Sequence, residues 1–151
     1  LMLPALQLTL PEIVDMNFPA EGIFHNLVLV SIRKEYPGHA RKVMYALWGL
    51  GLLMLTKTII IVDYYVDVND LSEVGWRVTA NIDPSRDVVF ADGPVDDLDH
   101  SSVSPKFGSK MGIDATAKGP MDGRIREWPP DIEMTDDIRA LVDSKWSKYG
   151  I

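Results

Sequence analysis

Apolar side chains gather in three short runs instead of alternating with polar ones. The run Ile59 to Val62 consists entirely of branched residues, and the segments Asn26 to Lys34 and Asp87 to Ala91 carry similar runs. Strands without a polar face are typical of a sheet covered on both sides, because any polar face would be buried. The pattern predicts three buried strands, with the Ile59 strand in the middle of a mostly parallel sheet.

Between and after these strands, apolar residues recur at intervals of three and four, which is the period of an amphipathic helix. Polar residues that cap helices stand at the start of the later repeats. The predicted helices are His39 to Leu50, Asp70 to Asn81 with Asn69 as N-cap, and Asp136 to Tyr149 with Thr135 as N-cap and Gly150 as terminator. Before the first buried strand, Leu1 to Leu10 predicts a short helix or docked arm, and Glu12 to Pro19 predicts a short strand.

The order strand, helix, strand, helix, strand with short links indicates two right-handed βαβ units. We therefore expect one α/β domain over residues 1–151, with a three-layer βαβαβ core and a C-terminal helix. Residues 93–130 are rich in proline, glycine and polar side chains and show no period, which predicts a long irregular loop.

Composition narrows the classes of partner. The formal net charge of −7 argues against a nucleic acid or an anionic membrane, since neither attracts an acidic protein. The longest apolar run, Val43 to Leu55, is shorter than the roughly 20 residues of a membrane span, so any membrane association is at most peripheral. The absence of cysteine fits a cytoplasmic location. The opening residues LMLPALQL suggest a piece of a longer protein.

Three groups of residues are candidates for chemistry. The segment Lys106 to Gly112, KFGSKMG, places glycines beside lysines, as phosphate-binding loops do. Carboxylates can bind hard cations, but the spacing of the first acidic group below matches no calcium loop and the second group lies in a loop of unknown shape, so solvated carboxylates and a helix cap are the favoured interpretation. The acidic groups are Asp63, Asp67 and Asp70 after the middle strand, and Asp96, Asp97, Asp99 and His100 in the predicted loop.

His25 and His39 have no partner at the spacing of a metal site or a catalytic triad, and no HExxH or Walker motif occurs.

Four sequence stretches resemble the carboxyl-terminal part of the UbiD family of carboxy-lyases. They are YPGHARKVMYALWG from Tyr36, RVTANIDPSRDVVF from Arg77, FGSKMGIDATAKGP from Phe107 and REWPP from Arg126. The resemblance implies a parent enzyme of the 4-hydroxy-3-polyprenylbenzoate decarboxylase type, which acts in ubiquinone biosynthesis. It implies prenylated FMN as the cofactor, with manganese or a similar divalent ion and potassium.

The same resemblance places the family's catalytic residues and metal ligands in a preceding amino-terminal portion without counterpart here. It implies Lys110, the lysine of GSK, as a contact of the flavin phosphate. It also implies that this region serves assembly into dimers, trimers or hexamers and packs against the catalytic domain.

The chain departs from the family pattern at Leu52, Tyr64 and Tyr65, where apolar or aromatic residues replace polar or acidic ones. Tyrosine is common in interface hot spots. We expect these three residues to form a subunit interface, natural or introduced by design. Trp48, Trp76 and Trp146 are expected in the core or at an interface.

Three functions follow from the sequence. The first is a self-associating assembly domain without catalysis of its own. The second is a contribution to the decarboxylase site of the full-length enzyme through Lys110. The third is a stand-alone α/β module that binds a ligand or metal with its acidic loop.

Overall fold

A mixed sheet of five strands forms the middle layer of the computed structural model, which describes residues 2–150. The strands lie in the order β1-β2-β3-β5-β4. Their bounds are β1 Ile13–Asn17, β2 Leu27–Ile32, β3 Thr58–Asp63, β4 Val88–Pro94 and β5 Phe107–Asp114. The helices are α1 Met2–Gln7, α2 His39–Trp48, α3 Leu71–Asn81, α4 Pro84–Asp87 and α5 Asp136–Lys145. The α/β class is confirmed.

Strand β3 is the central strand, as its unbroken apolar run predicts. It pairs in parallel with β2 on one side and with β5 on the other. Its side chains divide between two cores: Ile59 and Ile61 belong to one apolar cluster and Val62 to another. Because successive side chains of a strand point to opposite faces, the two clusters cover opposite faces of the sheet.

Each face of the sheet is covered by one of the predicted helices. Val43, Met44 and Leu47 of α2 are fully buried in the cluster of Ile59. Val74 of α3 is buried in the cluster of Val62. The chain therefore has three layers, with the sheet between α2 and α3.

The prediction of a second βαβ unit is wrong. After α3 and α4 the chain enters β4, which pairs only with β5 within the described residues and runs antiparallel to it. The parallel neighbour of β3 is instead β5, which lies inside the predicted irregular loop 93–130. Strand β5 was not recognisable from the sequence, because FGSKMGID contains two glycines and three polar residues among its apolar ones. Strand β4 forms one edge of the sheet, and its Phe90 is exposed.

The predicted N-cap of α3 is displaced by one residue. The carboxylate of Asp70, not the amide of Asn69, accepts hydrogen bonds from the backbone N–H groups of Ser72 and Glu73. The side chain of Asn69 bonds to Asp67 instead. Asp70 caps the helix because its short side chain reaches the free N–H groups of the first turn.

The carboxyl-terminal tail stands apart from the layers. Helix α5 begins after Thr135, as predicted, and a 3₁₀ turn over Trp146–Lys148 extends it to Gly150, whose φ of 68° ends it. None of the residues of α5 is buried. Within residues 2–150, no helix combines the length and the apolar character that crossing a membrane requires.

Candidate functional site

Asp63 ends the central strand and is buried. Its Oδ2 accepts hydrogen bonds from the backbone N–H of Ala117 at 2.7 Å and from the hydroxyl of Tyr65 at 3.2 Å. Burial raises the pKa of Asp63, and the bond from Ala117 partly opposes that effect. The carboxylate therefore joins the end of β3 to the segment after β5.

Tyr64 and Tyr65 leave about half of their surfaces exposed beside this carboxylate. Their rings meet edge to face at 5.4 Å between centroids. The guanidinium of Arg33 lies 4.9 Å from the ring centre of Tyr64, and that of Arg77 lies 5.3 Å from the ring of Tyr65. Burial, together with the negative charge of Asp63, raises the pKa of Tyr65 to about 12. The arrangement is a rigid aromatic surface flanked by cations.

Sequence reasoning missed the fork between Arg77 and Asp131. The guanidinium of Arg77 donates to both carboxylate oxygens of Asp131, at 2.8 and 3.1 Å, and the pKa of Arg77 is raised chiefly by these bonds. A weaker contact of 3.5 Å joins Arg77 to Glu73 one turn earlier. That spacing of four residues was visible in the sequence, but the partner 54 residues away was not. The fork attaches the tail to α3.

The acidic residues after β3 do not converge on one point. Asp63 faces Ala117, and Asp70 caps α3. Asp67 accepts a hydrogen bond from the backbone N–H of Asn69 in its own turn. Each carboxylate thus serves a separate backbone or side-chain donor.

The acidic residues of the loop are held by different basic partners. Asp96 contacts His25 at 2.9 Å and Asp99 contacts Lys57 at 3.0 Å. Asp97 lies 3.5 Å from Lys106. Across residues 2–150, no group of three or more histidines and acids is arranged to hold a metal ion.

His39 is fixed through both ring nitrogens. Its Nδ1 accepts a hydrogen bond from the backbone N–H of Glu35, and its Nε2 lies 3.3 Å from the carboxylate of Glu12. The ring of Tyr36 stacks on it at 4.0 Å. This histidine therefore positions α2 against β1 and has no nitrogen free for a substrate.

The segment KFGSKMG is a strand and not a phosphate-binding loop. Gly108 and Gly112 stand in the ladder opposite Gly93 and Val89 of β4. The hydroxyl of Ser109 donates to Asp92. Because pairing with β4 makes this segment part of the sheet, the prediction of an irregular loop at this point is wrong.

Lys110 is buried in that strand. Its ammonium donates to the backbone carbonyl of Met54 and lies 6.0 Å from the ring centre of Trp48. No carboxylate within residues 2–150 forms a salt bridge with it, and burial lowers its pKa to about 8. Met111 pairs with Thr58 at the start of β3. Lys110 therefore lies near the amino-terminal end of β3, whereas Tyr64 follows the carboxyl-terminal end of that strand.

Leu52 does not share a surface with the tyrosines. It lies in the 3₁₀ turn Gly51–Leu55 before β3, whereas Tyr64 and Tyr65 follow that strand. Leu52 is 70% exposed and lines an apolar groove of about 220 Å³ with residues of α1 such as Met2. The single patch of three residues expected from the sequence is therefore wrong, and two separate surfaces replace it.

The three tryptophans that were expected in the core or at an interface lie in different environments. Trp48 is half-buried against the core, and its Nε1 donates to the carbonyl of Thr56 at 3.0 Å. Trp76 and Trp146 leave about half of their surfaces exposed. Trp76 stacks against the guanidinium of Arg77 at 4.4 Å.

A match to a family model shows to which protein family the chain belongs. The model of the 3-octaprenyl-4-hydroxybenzoate carboxy-lyase C-terminal domain matches residues 1–115. The chain belongs to the UbiD carboxy-lyase family. An uncharacterized protein of Archaeoglobus fulgidus is 51% identical over 149 residues, which are 98% of this chain and 31% of that protein. The chain thus spans about a third of the length of this relative.

Solved UbiD structures share the fold. The closed form of vanillic acid decarboxylase from Sedimentibacter hydroxybenzoicus matches 95% of this chain and 30% of its own length, with 30% identity and a TM-score of 0.79. The UbiD-class enzyme HmfF from Pelotomaculum thermopropionicum, solved with FMN, matches 85% of this chain and 28% of its own length, with 25% identity and a TM-score of 0.70. The chain therefore has the fold of one domain of these enzymes.

Proposed function

We propose that this chain is the assembly domain of a UbiD-type decarboxylase and that it self-associates without catalysing a reaction by itself. The parent enzyme would remove the carboxyl group of an aromatic or α,β-unsaturated acid, as in the ubiquinone pathway. The proposal of a non-catalytic role is supported by the chain's length, since it spans 31% of its Archaeoglobus relative. The absence of cysteine supports the cytoplasm as the location.

The observation that carries this proposal is the uncovered apolar side of α5. Isolated helices of about ten residues are marginal in water, and a helix in a protein is stabilised mainly by packing of its apolar face. No residue of α5 is buried within the described chain. A second copy that covers this face would supply the missing packing.

The tyrosine pair offers a second surface for assembly. Two rigid aromatic side chains lose little conformational entropy on binding, and tyrosine is favoured in hot spots. The exposed halves of Tyr64 and Tyr65, held by Arg33 and Arg77, fit that description.

Light scattering tests the tyrosine surface. We expect the wild-type chain to form an oligomer, and Tyr64→Glu with Tyr65→Asp to lower its mass, because the added charges would need to be desolvated. Tyr45→Glu, at a similarly exposed tyrosine of α2, is the matched control and should leave the mass unchanged. Thermal unfolding establishes that each variant is folded. A folded double variant with the wild-type mass would exclude this surface from the interface.

We further propose that Lys110 contacts the phosphate of the flavin in the full-length enzyme. An ammonium that is buried without a carboxylate is suited to an anion, since an anion would compensate its charge. HmfF was solved with FMN, which supports a flavin in the parent enzyme. The flavin, in its prenylated form, would supply the decarboxylation chemistry, and the proposed manganese and potassium would be held outside this chain.

Flavin content of the full-length protein tests this role. Lys110→Met should reduce the flavin absorbance of the purified protein, whereas Lys110→Arg should retain part of it because the positive charge remains. Lys106→Met, at an exposed lysine four residues earlier, is the control and should bind flavin normally. Full flavin content in a folded Lys110→Met protein would rule out the contact.

A further inference from the structure

Residues 95–106, the cover loop between β4 and β5, lie beside Lys110. The ends of the loop are joined by a hydrogen bond of 3.2 Å from the backbone N–H of Val95 to the carbonyl of Lys106. A β-carbon added at Gly108 would stand 3.5 Å from a methyl carbon of Val95, so the loop packs on that glycine. Because alternate residues of a strand share a face, Lys110 projects on the same side of β5 as this contact.

The cover loop is attached to the domain mainly by ion pairs. Within this loop, all of which the structure describes, Val95 is the only buried apolar residue. Asp96 lies 2.9 Å from His25, and Asp99 lies 3.0 Å from the ammonium of Lys57. Partly exposed ion pairs contribute about 1 kcal/mol or less to stability. Each of these carboxylates can therefore be exchanged for another anion at little cost.

Lys57 is the neighbour of Lys110 on the adjacent parallel strand. The backbone carbonyl of Lys57 accepts a hydrogen bond of 2.9 Å from the N–H of Met111. Ile59 and Gly112, two residues after the two lysines, form a register pair, and both lie against α2. Since side chains alternate along a strand, both lysines project on the side of the sheet that α2 covers, from strands about 4.8 Å apart.

The two lysines are neutralised unequally. Asp99 compensates the charge of Lys57, whereas Lys110 has no carboxylate partner among residues 2–150. Two ammonium groups with one carboxylate leave one positive charge without a counterpart. A phosphate monoester carries a charge of about −1.5 to −2 at pH 7 and would compensate both lysines.

Open space adjoins this pair of lysines. A cavity of about 290 Å³ lies between the 3₁₀ turn Gly51–Leu55 and the cover loop. Its wall contains Met54, whose backbone carbonyl accepts the hydrogen bond from Lys110. Asp96 and Asp97 of the cover loop also line it, and each already has a basic partner. An anion can therefore approach without facing an uncompensated carboxylate in this wall.

We propose that Asp99 is an internal competitor of the flavin phosphate, which displaces it from Lys57 and then binds Lys57 and Lys110 together. This inference rests on the proposed contact of Lys110 with the flavin phosphate and adds to it a second lysine and a competing carboxylate. Without flavin, Asp99 occupies Lys57 and the cover loop remains in the observed position. When flavin binds, one oxygen acceptor of Lys57 replaces another, and Asp99 keeps its hydrogen bonds to Ser101.

Titration of the flavin-free full-length protein with FMN tests the competition. Asp99→Asn retains an oxygen that can accept from Ser101 but removes the charge. It should lower the dissociation constant of FMN about two- to fivefold, which corresponds to a partly exposed ion pair. Lys57→Met should raise that constant by a similar factor. Asp97→Asn removes the same charge from an exposed residue of the cover loop and should leave it unchanged.

The direction of the change distinguishes competition from loss of structure. A damaged cover loop would weaken flavin binding, whereas removal of a competitor strengthens it. Unchanged or weaker binding by an Asp99→Asn protein with the wild-type unfolding temperature would overturn the competition, and so would unchanged binding by Lys57→Met. Either result would leave the role of Lys110 intact if Lys110→Met still loses flavin. Full flavin content in Lys110→Met would instead remove the contact on which the inference rests.

Discussion

A buried lysine without an acidic partner is the feature at the residue scale that most needs a reason. Lys110 donates to one carbonyl and lies beside the ring of Trp48, yet no carboxylate within residues 2–150 compensates its charge. Such a residue lowers the stability of the isolated chain. A binding role for Lys110 would explain why it is tolerated, because an anion supplied by the full-length enzyme would stabilise the ammonium.

The pH dependence of unfolding measures this cost. The pKa of Lys110 is lowered from 10.5 to about 8, so the unfolded chain holds the proton more tightly than the folded chain. Stability should therefore rise with pH between these values, by about 2 kcal/mol from pH 7.5 to 9.5. Tyr65, whose pKa is raised to about 12, acts in the opposite direction only above pH 10. Urea unfolding of wild type and Lys110→Met checks this.

The free energy of unfolding of Lys110→Met should no longer rise with pH. That of Lys106→Met should still rise, because Lys106 is exposed. An equal rise with pH in wild type and Lys110→Met would show that Lys110 is not the group responsible.

At the scale of elements, the fold depends on how each helix starts and how closely it approaches the sheet. Asp70 supplies the cap of α3 although Asn69 is an equally good capping residue by type. The difference lies in the bond of Asn69 to Asp67, which holds the amide away from the helix. The close packing of α2 against the sheet depends instead on a glycine of β5.

Alanine substitutions distinguish the contributions of Asp70 and Asn69 to the stability of α3. Asp70→Ala should lower the free energy of unfolding by about 1 kcal/mol, because two N–H groups of α3 lose their acceptor. Asn69→Ala should have a smaller effect, since it loses only the side-chain hydrogen bond to Asp67. Chemical unfolding of both variants measures the difference. A larger loss for Asn69→Ala would contradict the assignment of the cap.

Gly112 allows α2 to lie against β5. A β-carbon at this position would stand 2.6 Å from the sulfur of Met44 and 3.2 Å from the ring of Trp48. Gly112→Ala should therefore lower the free energy of unfolding by about 1 to 3 kcal/mol. Gly75→Ala, in α3 with open space around it, should instead raise it by about 0.5 to 1 kcal/mol. Thermal unfolding of both variants provides the comparison, and equal effects would argue against the contact.

At the scale of the whole molecule, the chain is a packed three-layer body with a tail. The fork between Arg77 and Asp131 joins the two, and Nε of Arg77 has no partner within residues 2–150. Asp131 is partly exposed, so the fork adds little to the stability of the body. Its consequence is positional, because it holds the segment that leads into α5 against α3.

Limited proteolysis tests this attachment. Asp131→Ala should speed tryptic cleavage after Arg124 and Arg126 several-fold, while the unfolding transition of the body changes by less than about 1 kcal/mol. Asp136→Ala, at the start of α5, is the control and should leave the cleavage rate unchanged. Cleavage of Asp131→Ala at the wild-type rate would show that the fork does not hold the tail.

Several parts of this molecule were predictable because their signals are local. Unbroken runs of branched residues specified β2 and β3, and helical spacing specified α2, α3 and α5. The stretch FGSKMGIDATAKGP indicates the UbiD family by its residues alone, and the match of the family model confirms it. These features depend on residues that are close in the chain.

The sequence by itself therefore determined the α/β class, the central strand and the family, because periodicity and motifs are written in neighbouring residues. Only the tertiary structure decided that β5 lies beside β3, that Leu52 and Tyr64 belong to opposite ends of the sheet, and that Arg77 meets Asp131. It also decided that Lys110 is buried without an acid among the described residues. Each of these depends on partners far apart in the chain, which meet only when the layers pack.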